Sequence, residues 1–292
     1  MKSLTPTAAL LIGLVSGLAS ADQNTAITYQ SGIANTASAD QDDAGAYGNL
    51  IWQSQHGVAN NAHAQQVAET GSSIYQVQDG HMNDAYSLQT GGASNHARIE
   101  QSGAGNNAST FQSGTYFSHA IIQQQGFNNE AHIDQFGGAG NVAMIQQAGS
   151  VHNAYIGQFF SNDSEAYVMQ SGTDNHALII QSGTGHMSSI TQGGVMNKAI
   201  TSQVGFYNEA DILQNGYGNE AYVTQVSWYN SASIIQDGLF NRADVIQLGV
   251  GSHEAIVHQM GGLNRATVIQ NGFSETAIIN QVGYGNTAII QQ

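Results

Sequence analysis

Residues 203–225 read QVGFYNEADILQNGYGNEAYVTQ, which is one short unit written twice. Each copy has the form Gln-x-Gly-x-x-Asn-x-Ala-x-x-x-Gln. The same glutamine recurs in steps of 11 or 12 residues from Gln55 to Gln292. Self-similarity at a fixed period is the sequence signature of a repeat architecture, so secondary structure has to be assigned within the repeat.

The side chains of one unit predict a β-strand. Two residues after the alanine, every unit from Ile99 to Ile290 carries Ile, Val or Thr, which are β-branched residues that favour strands. Because side chains alternate along a strand, Asn, Ala, the β-branched residue, Gln and Gly share one face. Residues such as Asp211 and Thr224 lie on the opposite, solvated face. A helix is excluded because it would need apolar residues three and four positions apart.

These units predict an all-β fold, a cross-β β-solenoid of about twelve stacked rungs with two strands and 22–23 residues in each rung. Strands of about five or six residues are expected, joined by Gly-x-x-Asn turns. The predicted organisation is a signal peptide at 1–21, irregular first repeats at 22–54 and one repeat array at 55–292. The irregular segment is the candidate for a recognition signal in secretion.

Polar residues on the inward face predict ladders. A buried unpaired amide costs about 1–3 kcal/mol. Rungs that stack about 4.8 Å apart would let identical amides hydrogen-bond to one another. The predicted ladder residues are Gln203, Gln214, Gln225, Gln236, Gln247, Gln259, Gln270, Gln281 and Gln292, with Asn197, Asn208, Asn219, Asn230, Asn241, Asn264 and Asn286.

The composition excludes several classes of protein. The 292 residues include 35 Gly, one Pro and no Cys, so a disulfide framework, a thiol nucleophile and a cysteine-ligated zinc site are excluded. Five Lys and Arg stand against 20 Asp and Glu, for a net charge of −15. Such a chain lacks the basic surface that binds nucleic acid.

The first residues predict export. Lys2 provides a positive start, residues 8–18 are apolar, and Ala19-Ser20-Ala21 form a small-residue cleavage site. The apolar stretch is shorter than the ~20 residues that a membrane-spanning helix needs. Cleavage removes Lys2 and changes the net charge of the mature chain from −15 to −16.

No catalytic site, metal or cofactor is expected. His152, His186 and His253 occupy the asparagine position of the repeat, and solvated turn residues explain them. Asp211 and Asp244 occupy one repeat position and could face each other across rungs, but a glycosidase also needs a sugar-binding cleft. The aromatic residues lie mostly in turns, where packing is the simpler interpretation and surface adhesion the alternative.

The repeated unit, as in residues 203–214, resembles the curlin repeat of the curli fibre subunits, secreted functional amyloids of bacterial surfaces. The resemblance covers essentially the whole mature chain. It implies export to the periplasm, passage through an outer-membrane channel and nucleated polymerisation into cell-surface fibres that serve adhesion and biofilm formation. The implied partners are further copies of the chain, a nucleator subunit and the channel, with no nucleic acid and no membrane span. The long, uniform array favours the major subunit over the nucleator.

A second hypothesis is a monomeric secreted β-solenoid, such as an adhesin or a polysaccharide-binding protein. Soluble solenoids need capping repeats that cover their terminal strands. Residues 283–292 form a last repeat without charge or proline, which favours the polymer.

Overall fold

The computed structural model describes residues 23–42 and 46–292. The predicted signal peptide and residues 43–45 of the irregular segment lie outside this range. The described residues form 24 strands in two parallel sheets of twelve strands each. Successive strands alternate between the sheets, so one turn of the chain adds one strand to each. The predicted β-solenoid with two strands in each rung is confirmed.

Sheet A contains the odd-numbered strands, which are β1 (Thr25–Ile33), β3 (Leu50–Val58), β5 (Ser73–His81), β7 (His96–Ala104), β9 (His119–Phe127), β11 (Val142–Ser150), β13 (Glu165–Thr173), β15 (Met187–Val195), β17 (Glu209–Tyr217), β19 (Ser231–Leu239), β21 (Glu254–Gly262) and β23 (Thr276–Tyr284).

Sheet B contains the even-numbered strands, which are β2 (Thr36–Asp42), β4 (Asn61–Val67), β6 (Asp84–Thr90), β8 (Asn107–Tyr116), β10 (Glu130–Ala139), β12 (Asn153–Phe159), β14 (His176–Thr184), β16 (Lys198–Phe206), β18 (Glu220–Trp228), β20 (Arg242–Gln247), β22 (Arg265–Gln270) and β24 (Thr287–Gln291).

The strands stack with like residues on like. In the pairing of β17 with β19, Ala210 lies beside Ala232, and Gln214 lies beside Gln236. The irregular segment continues this register, because β1 pairs with β3 over nine residues and aligns Gln30 with Gln55. Each column of the repeat therefore runs parallel to the solenoid axis.

The space between the sheets is filled by the Ala column and the β-branched column. Ala210 and Ile212 are fully or almost fully buried, and one continuous apolar core extends from Ala85 to Ile279. Such columns bury little surface in one rung and much in a stack, because each rung covers its neighbours. The first rungs have a separate small core around Ile51 and Ile74.

Most strands have nine residues, so the expected length of five or six was wrong. The glycine after the glutamine bends the strand without ending it. Gly216 has a φ of 113°, yet it stays paired with Gly194 and Gly238. A Cβ atom at Gly216 would lie 2.0 Å from the carbonyl oxygen of Gly238. Glycine allows the rungs to stack this closely at the bend. Ser227 is an exception, since it occupies the same position beside Gly205 with a φ of 105°.

Most of the true turns are only two residues long, and their first residue, just before the asparagine, is a second left-handed residue. Tyr207, Tyr229 and Phe240 have φ values of 53–55°, although bulky residues rarely adopt this conformation. The rings of Tyr207 and Tyr229 stack with their centroids 5.2 Å apart, and the ring of Phe240 packs edge-on against Tyr217. This stacking offsets part of the backbone strain.

Candidate functional site: the amide ladders and the end rungs

The glutamine side chains of sheet A form one unbroken ladder from Gln30 to Gln281. Each Nε2 donates to the Oε1 of the glutamine in the next rung, at 2.7–2.9 Å throughout. Among the predicted ladder residues, Gln214, Gln236, Gln259 and Gln281 lie in this column and are at most 5% exposed. All the dipoles of the ladder point the same way along the axis.

Sheet B carries a second ladder from Gln41 to Gln292. It contains Gln203, Gln225, Gln247, Gln270 and Gln292. The links are 2.7–3.0 Å long as far as Gln270. The final link, from Gln270 to Gln292, lengthens to 3.4 Å in the last, more exposed rung. The glutamine that recurs every 11 or 12 residues in the sequence therefore forms two parallel ladders, one on each sheet.

The second N–H of most of these amides joins the two sheets, which the sequence did not indicate. Nε2 of Gln214 on β17 donates to the carbonyl oxygen of Lys198 on β16, at 3.0 Å. Nε2 of Gln225 on β18 donates to that of Glu209 on β17, at 2.7 Å. A glutamine that makes both contacts satisfies both of its donors and fixes a backbone carbonyl group across the core. Fully satisfied buried amides stabilise the stack and specify its register.

The asparagine side chains hold the turns, mainly through the backbone. The backbone N–H of Asn219 donates to Oδ1 of Asn197 at 3.0 Å, and its Nδ2 donates to the same oxygen at 3.1 Å. Nδ2 of Asn219 also donates to the carbonyl oxygen of Gly238 at 3.0 Å. The same backbone contact with an asparagine Oδ1 is made by Asn230, Asn241, Asn264 and Asn286. The backbone N–H of Asn208 donates instead to Nδ1 of His186.

The interpretation of three histidines as solvated turn residues was wrong. His152, His186 and His253 are each only 1% exposed. They replace asparagine in the ladder, and Nδ1 of His152 accepts the backbone N–H of Asn175 at 3.3 Å. Nε2 of His152 contacts the carbonyl oxygen of Ala148 at 3.3 Å, the partner type that asparagine Nδ2 takes at this position. An imidazole can enter this site because its two nitrogens reproduce the acceptor and the donor of the amide.

Burial lowers the pKa of both His152 and His186, and hydrogen bonds to backbone carbonyls oppose the shift only in part. Neutral imidazole with the proton on Nε2 suits both contacts, since Nδ1 must then accept.

Two further polar features escaped the sequence analysis. Glu69, between β4 and β5, is fully buried and accepts hydrogen bonds from Ser72 Oγ at 2.6 Å and from the backbone N–H of Gly92 at 2.9 Å. Burial raises the pKa of this carboxyl group. Gln53 and Gln76 occupy the β-branched column of the first rungs and form a short extra ladder at 2.9 Å. Their spacing of 23 residues, which is one full rung, was the signal in the sequence that could have predicted this extra ladder.

Asp211 and Asp244 do not form a pair. Asp211 lies on β17 and Asp244 on β20, and both point outward from different sheets. Successive repeats alternate between the sheets, so a shared repeat position does not bring two side chains together. The described residues contain no group of three potential metal-ligating side chains. They also contain no helix with the length and apolarity needed to cross a membrane.

The two end rungs carry the same columns. At one end, β23 presents Ala277, Gln281 and Gly283; at the other, β1 presents Ala26, Gln30 and Gly32. Gln281 already accepts from Gln259 and donates one N–H to the carbonyl oxygen of Arg265 at 3.0 Å. Its second N–H points along the axis, out of the stack. Gln30 donates to Gln55 at 2.7 Å, and its Oε1 faces the opposite end.

The repeat itself matches a known family. A family profile described as the curlin associated repeat matches residues 161–194, 197–226 and 252–283. The part of the chain from residue 161 to residue 283 therefore carries curlin repeats. The matched segments contain β13, β14, β16, β17, β21 and β22 whole, and β15 and β23 except for their last residue, so they include glutamines of both ladders. A comparison with curated protein sequences gives no significant match.

Proposed function

We propose that this protein is a secreted structural subunit that stacks end to end into extracellular curli-type amyloid fibres for adhesion and biofilm matrix, without a catalytic role. The observation that carries the proposal is the complementarity of the end rungs. Gln281 offers a donor where Gln30 offers an acceptor, so the sheet A ladder can continue from one copy into the next. Gln292 and Gln41 bear the same relation in sheet B.

The backbone supports the same joint. Along the outer edges of β23 and β1, alternate N–H and C=O groups have no strand beside them in the described part of the chain. Such edges recruit further strands. A head-to-tail contact between a C-terminal and an N-terminal rung is heterologous, and it does not close on itself, so it generates a filament. Each addition repeats the parallel register that already exists eleven times within each sheet.

The acidic residues suit a subunit that must leave the cell before it assembles. Asp134, Glu220 and Asp244 lie on outward positions of the strands. With a net charge of −15, copies repel one another at low ionic strength. By resemblance, the partners are a nucleator subunit and an outer-membrane secretion channel, and the long array favours the major subunit.

The test uses the mature chain, residues 22–292, diluted from denaturant. We expect fibres with a strand-spacing reflection near 4.7–4.8 Å that seed further growth. The joint is tested by Gln30→Lys together with Gln281→Lys, which buries two like charges at every contact. The matched control is Ser31→Lys with Val282→Lys, the outward neighbours on the same strands.

We expect the control to form fibres and the ladder variant to lose at least nine-tenths of the growth rate. Circular dichroism at low concentration checks that both variants retain the monomer fold. A wild-type chain that stays monomeric, or a ladder variant that grows as fast as its control, overturns the proposal. Labelling of the protein on the surface of intact producing cells tests the location.

A further inference from the structure

An axial groove of about 610 Å³ runs over the outer face of sheet A, across the strands from β5 to β15. It lies on the side of the sheet opposite the glutamine ladder, between two outward columns of the repeat. One column contributes Glu100, Gln123 and Gln146, and the other contributes Ser102, Gln125, Ala148 and Ser171. This volume lies in the ordinary range for ligand sites, about 300–1,000 Å³.

The floor of the groove carries a polar ladder of its own. Nε2 of Gln123 donates to Oε2 of Glu100 at 2.7 Å, and Nε2 of Gln146 donates to Oε1 of Gln123 at 2.7 Å. A primary amide has two N–H donors and an oxygen with two lone pairs. Each of these contacts uses one N–H, so every amide keeps hydrogen-bonding capacity for a ligand. The three side chains are held half-buried and in line by their mutual bonds.

The spacing of these groups selects a long ligand. They recur once per rung, at about 4.8 Å along the axis. The side chains of Ser102, Ala148 and Ser171 are small, so this wall is low except at Gln125, which lies between Ser102 and Ala148. Val77 and Met169, toward the two ends, add apolar contacts. A polymer whose repeating units carry hydroxyl groups as well as apolar C–H surfaces matches this combination of polar and apolar groups.

Other polymers fit poorly. Asp79 and Glu100 line the groove of an acidic protein, which disfavours nucleic acid and anionic glycans. A peptide strand would need a free sheet edge, whereas the backbone here is already paired on both sides. An acyl chain would remove water from the remaining N–H groups of the floor amides without replacing its hydrogen bonds, at a cost in free energy.

We propose that this groove binds a linear, uncharged polysaccharide segment that lies parallel to the solenoid axis, with its hydroxyl groups on Gln123 and Gln146. The site lies within a single copy, away from the end rungs, so the inference does not rest on the proposed polymerisation. In a fibre, every subunit would present one such groove on its side.

The direct test titrates the mature chain with three hexasaccharide probes by isothermal titration calorimetry. The probes are cellohexaose, which is extended and neutral, maltohexaose, which is neutral and coiled, and hexagalacturonate, which is extended and anionic. We expect cellohexaose to bind at least tenfold more tightly than the other two. The inference is overturned if cellohexaose does not bind, or if hexagalacturonate binds as tightly.

The location is tested by Gln123→Leu with Gln146→Leu, which should weaken cellohexaose binding at least tenfold. The matched control is Ser202→Leu with Thr224→Leu, in the same outward column of sheet B, and it should change binding less than twofold. Ser102→Tyr fills the groove without touching its amides and should also abolish binding, which keeps the test decisive if the leucine variant folds poorly.

Equal binding by the wild type and both groove variants would overturn the assignment. Fibre growth is measured separately on the same proteins, so a failure of glycan binding is distinguishable from a failure of assembly.

Discussion

Nδ1 of His186 accepts a hydrogen bond from the backbone N–H of Asn208, 3.3 Å away, in a position where the repeat otherwise places an asparagine oxygen. On its other side, Nε2 contacts the carbonyl oxygen of Ser182 at 3.0 Å. Protonation of Nδ1 would set two N–H groups against each other inside the stack. The ladder therefore requires a neutral ring at this position.

We expect acid to destabilise the solenoid through His152 and His186. Burial places the pKa of each ring below the ordinary 6.5 in the folded chain, so the unfolded chain binds more protons as the pH falls. Their contribution to stability is fully present above 6.5 and is lost as the pH falls toward the folded-state pKa. Guanidinium unfolding midpoints at about pH 7.5 and about pH 5 measure the loss.

The matched variant for this prediction is His152→Asn with His186→Asn, which restores the repeat residue. It should lose less stability than the wild type over the same pH interval. An identical loss in both proteins would show that these two imidazoles are not responsible.

Outward acids should slow assembly at low salt. A triple variant, Asp211→Asn with Glu220→Gln and Asp244→Asn, removes three negative charges and leaves both glutamine ladders unchanged. The lag before fibres appear should shorten at low ionic strength. It should converge with that of the wild type at high salt, where the Debye length falls to about 3 Å. Equal lags at low salt would show that charge repulsion does not slow assembly.

Removing one rung of a glutamine ladder should be costly. Gln214→Ala leaves the N–H of Gln192, the Oε1 of Gln236 and the carbonyl oxygen of Lys198 without their partner. Each buried unsatisfied group costs about 1–3 kcal/mol. Chemical unfolding should show a loss in this range or larger, whereas the outward Thr224→Ala should change stability by under about 0.5 kcal/mol. Comparable losses in the two variants would contradict the ladder's role.

One rung buries two hydroxyl groups whose removal should stabilise the chain. Ser188 on β15 and Thr201 on β16 are fully buried, and neither hydroxyl has a hydrogen-bond partner. Ser188→Ala with Thr201→Val should therefore stabilise the chain by about 1–2 kcal/mol. Thr110→Val is the control, because the Thr110 hydroxyl donates to Ser87 at 3.0 Å. A stabilising control together with a destabilising double variant would refute this expectation.

The bend glycines should differ sharply from the turn glycines. Gly216→Ala brings a Cβ atom to 2.0 Å from the Gly238 carbonyl oxygen, which forces two rungs apart. Gly91→Ala has the same left-handed strain, with a φ of 68°, but meets no atom within 4 Å. We expect about 1–2 kcal/mol for Gly91→Ala and a larger loss, or failure to fold, for Gly216→Ala. Thermal melting of the two variants compares them directly.

Much of the fold was predictable because the same side-chain pattern recurs in every repeat. The spacing of Ala210, Ile212 and Gln214 is enough to specify a strand with one buried face, and the period is enough to specify two strands per rung. The buried position of His186 was not predictable from the residue type, since an isolated histidine in a polar turn usually faces solvent. Only its register with Asn208 shows that it acts as an asparagine.

The sequence by itself determined the strand, its inward face and the stacking of like on like, because these depend on local alternation and on a period that every unit repeats. Only the tertiary structure decided that Gln214 reaches the Lys198 carbonyl across the core, that Asp211 and Asp244 lie on different sheets, and that Gln123 and Gln146 line an axial groove. Those relationships join residues of different strands or different sheets. They depend on where the chain bends at the glycines. The side-chain pattern along one strand does not specify the distance between residues of two different strands.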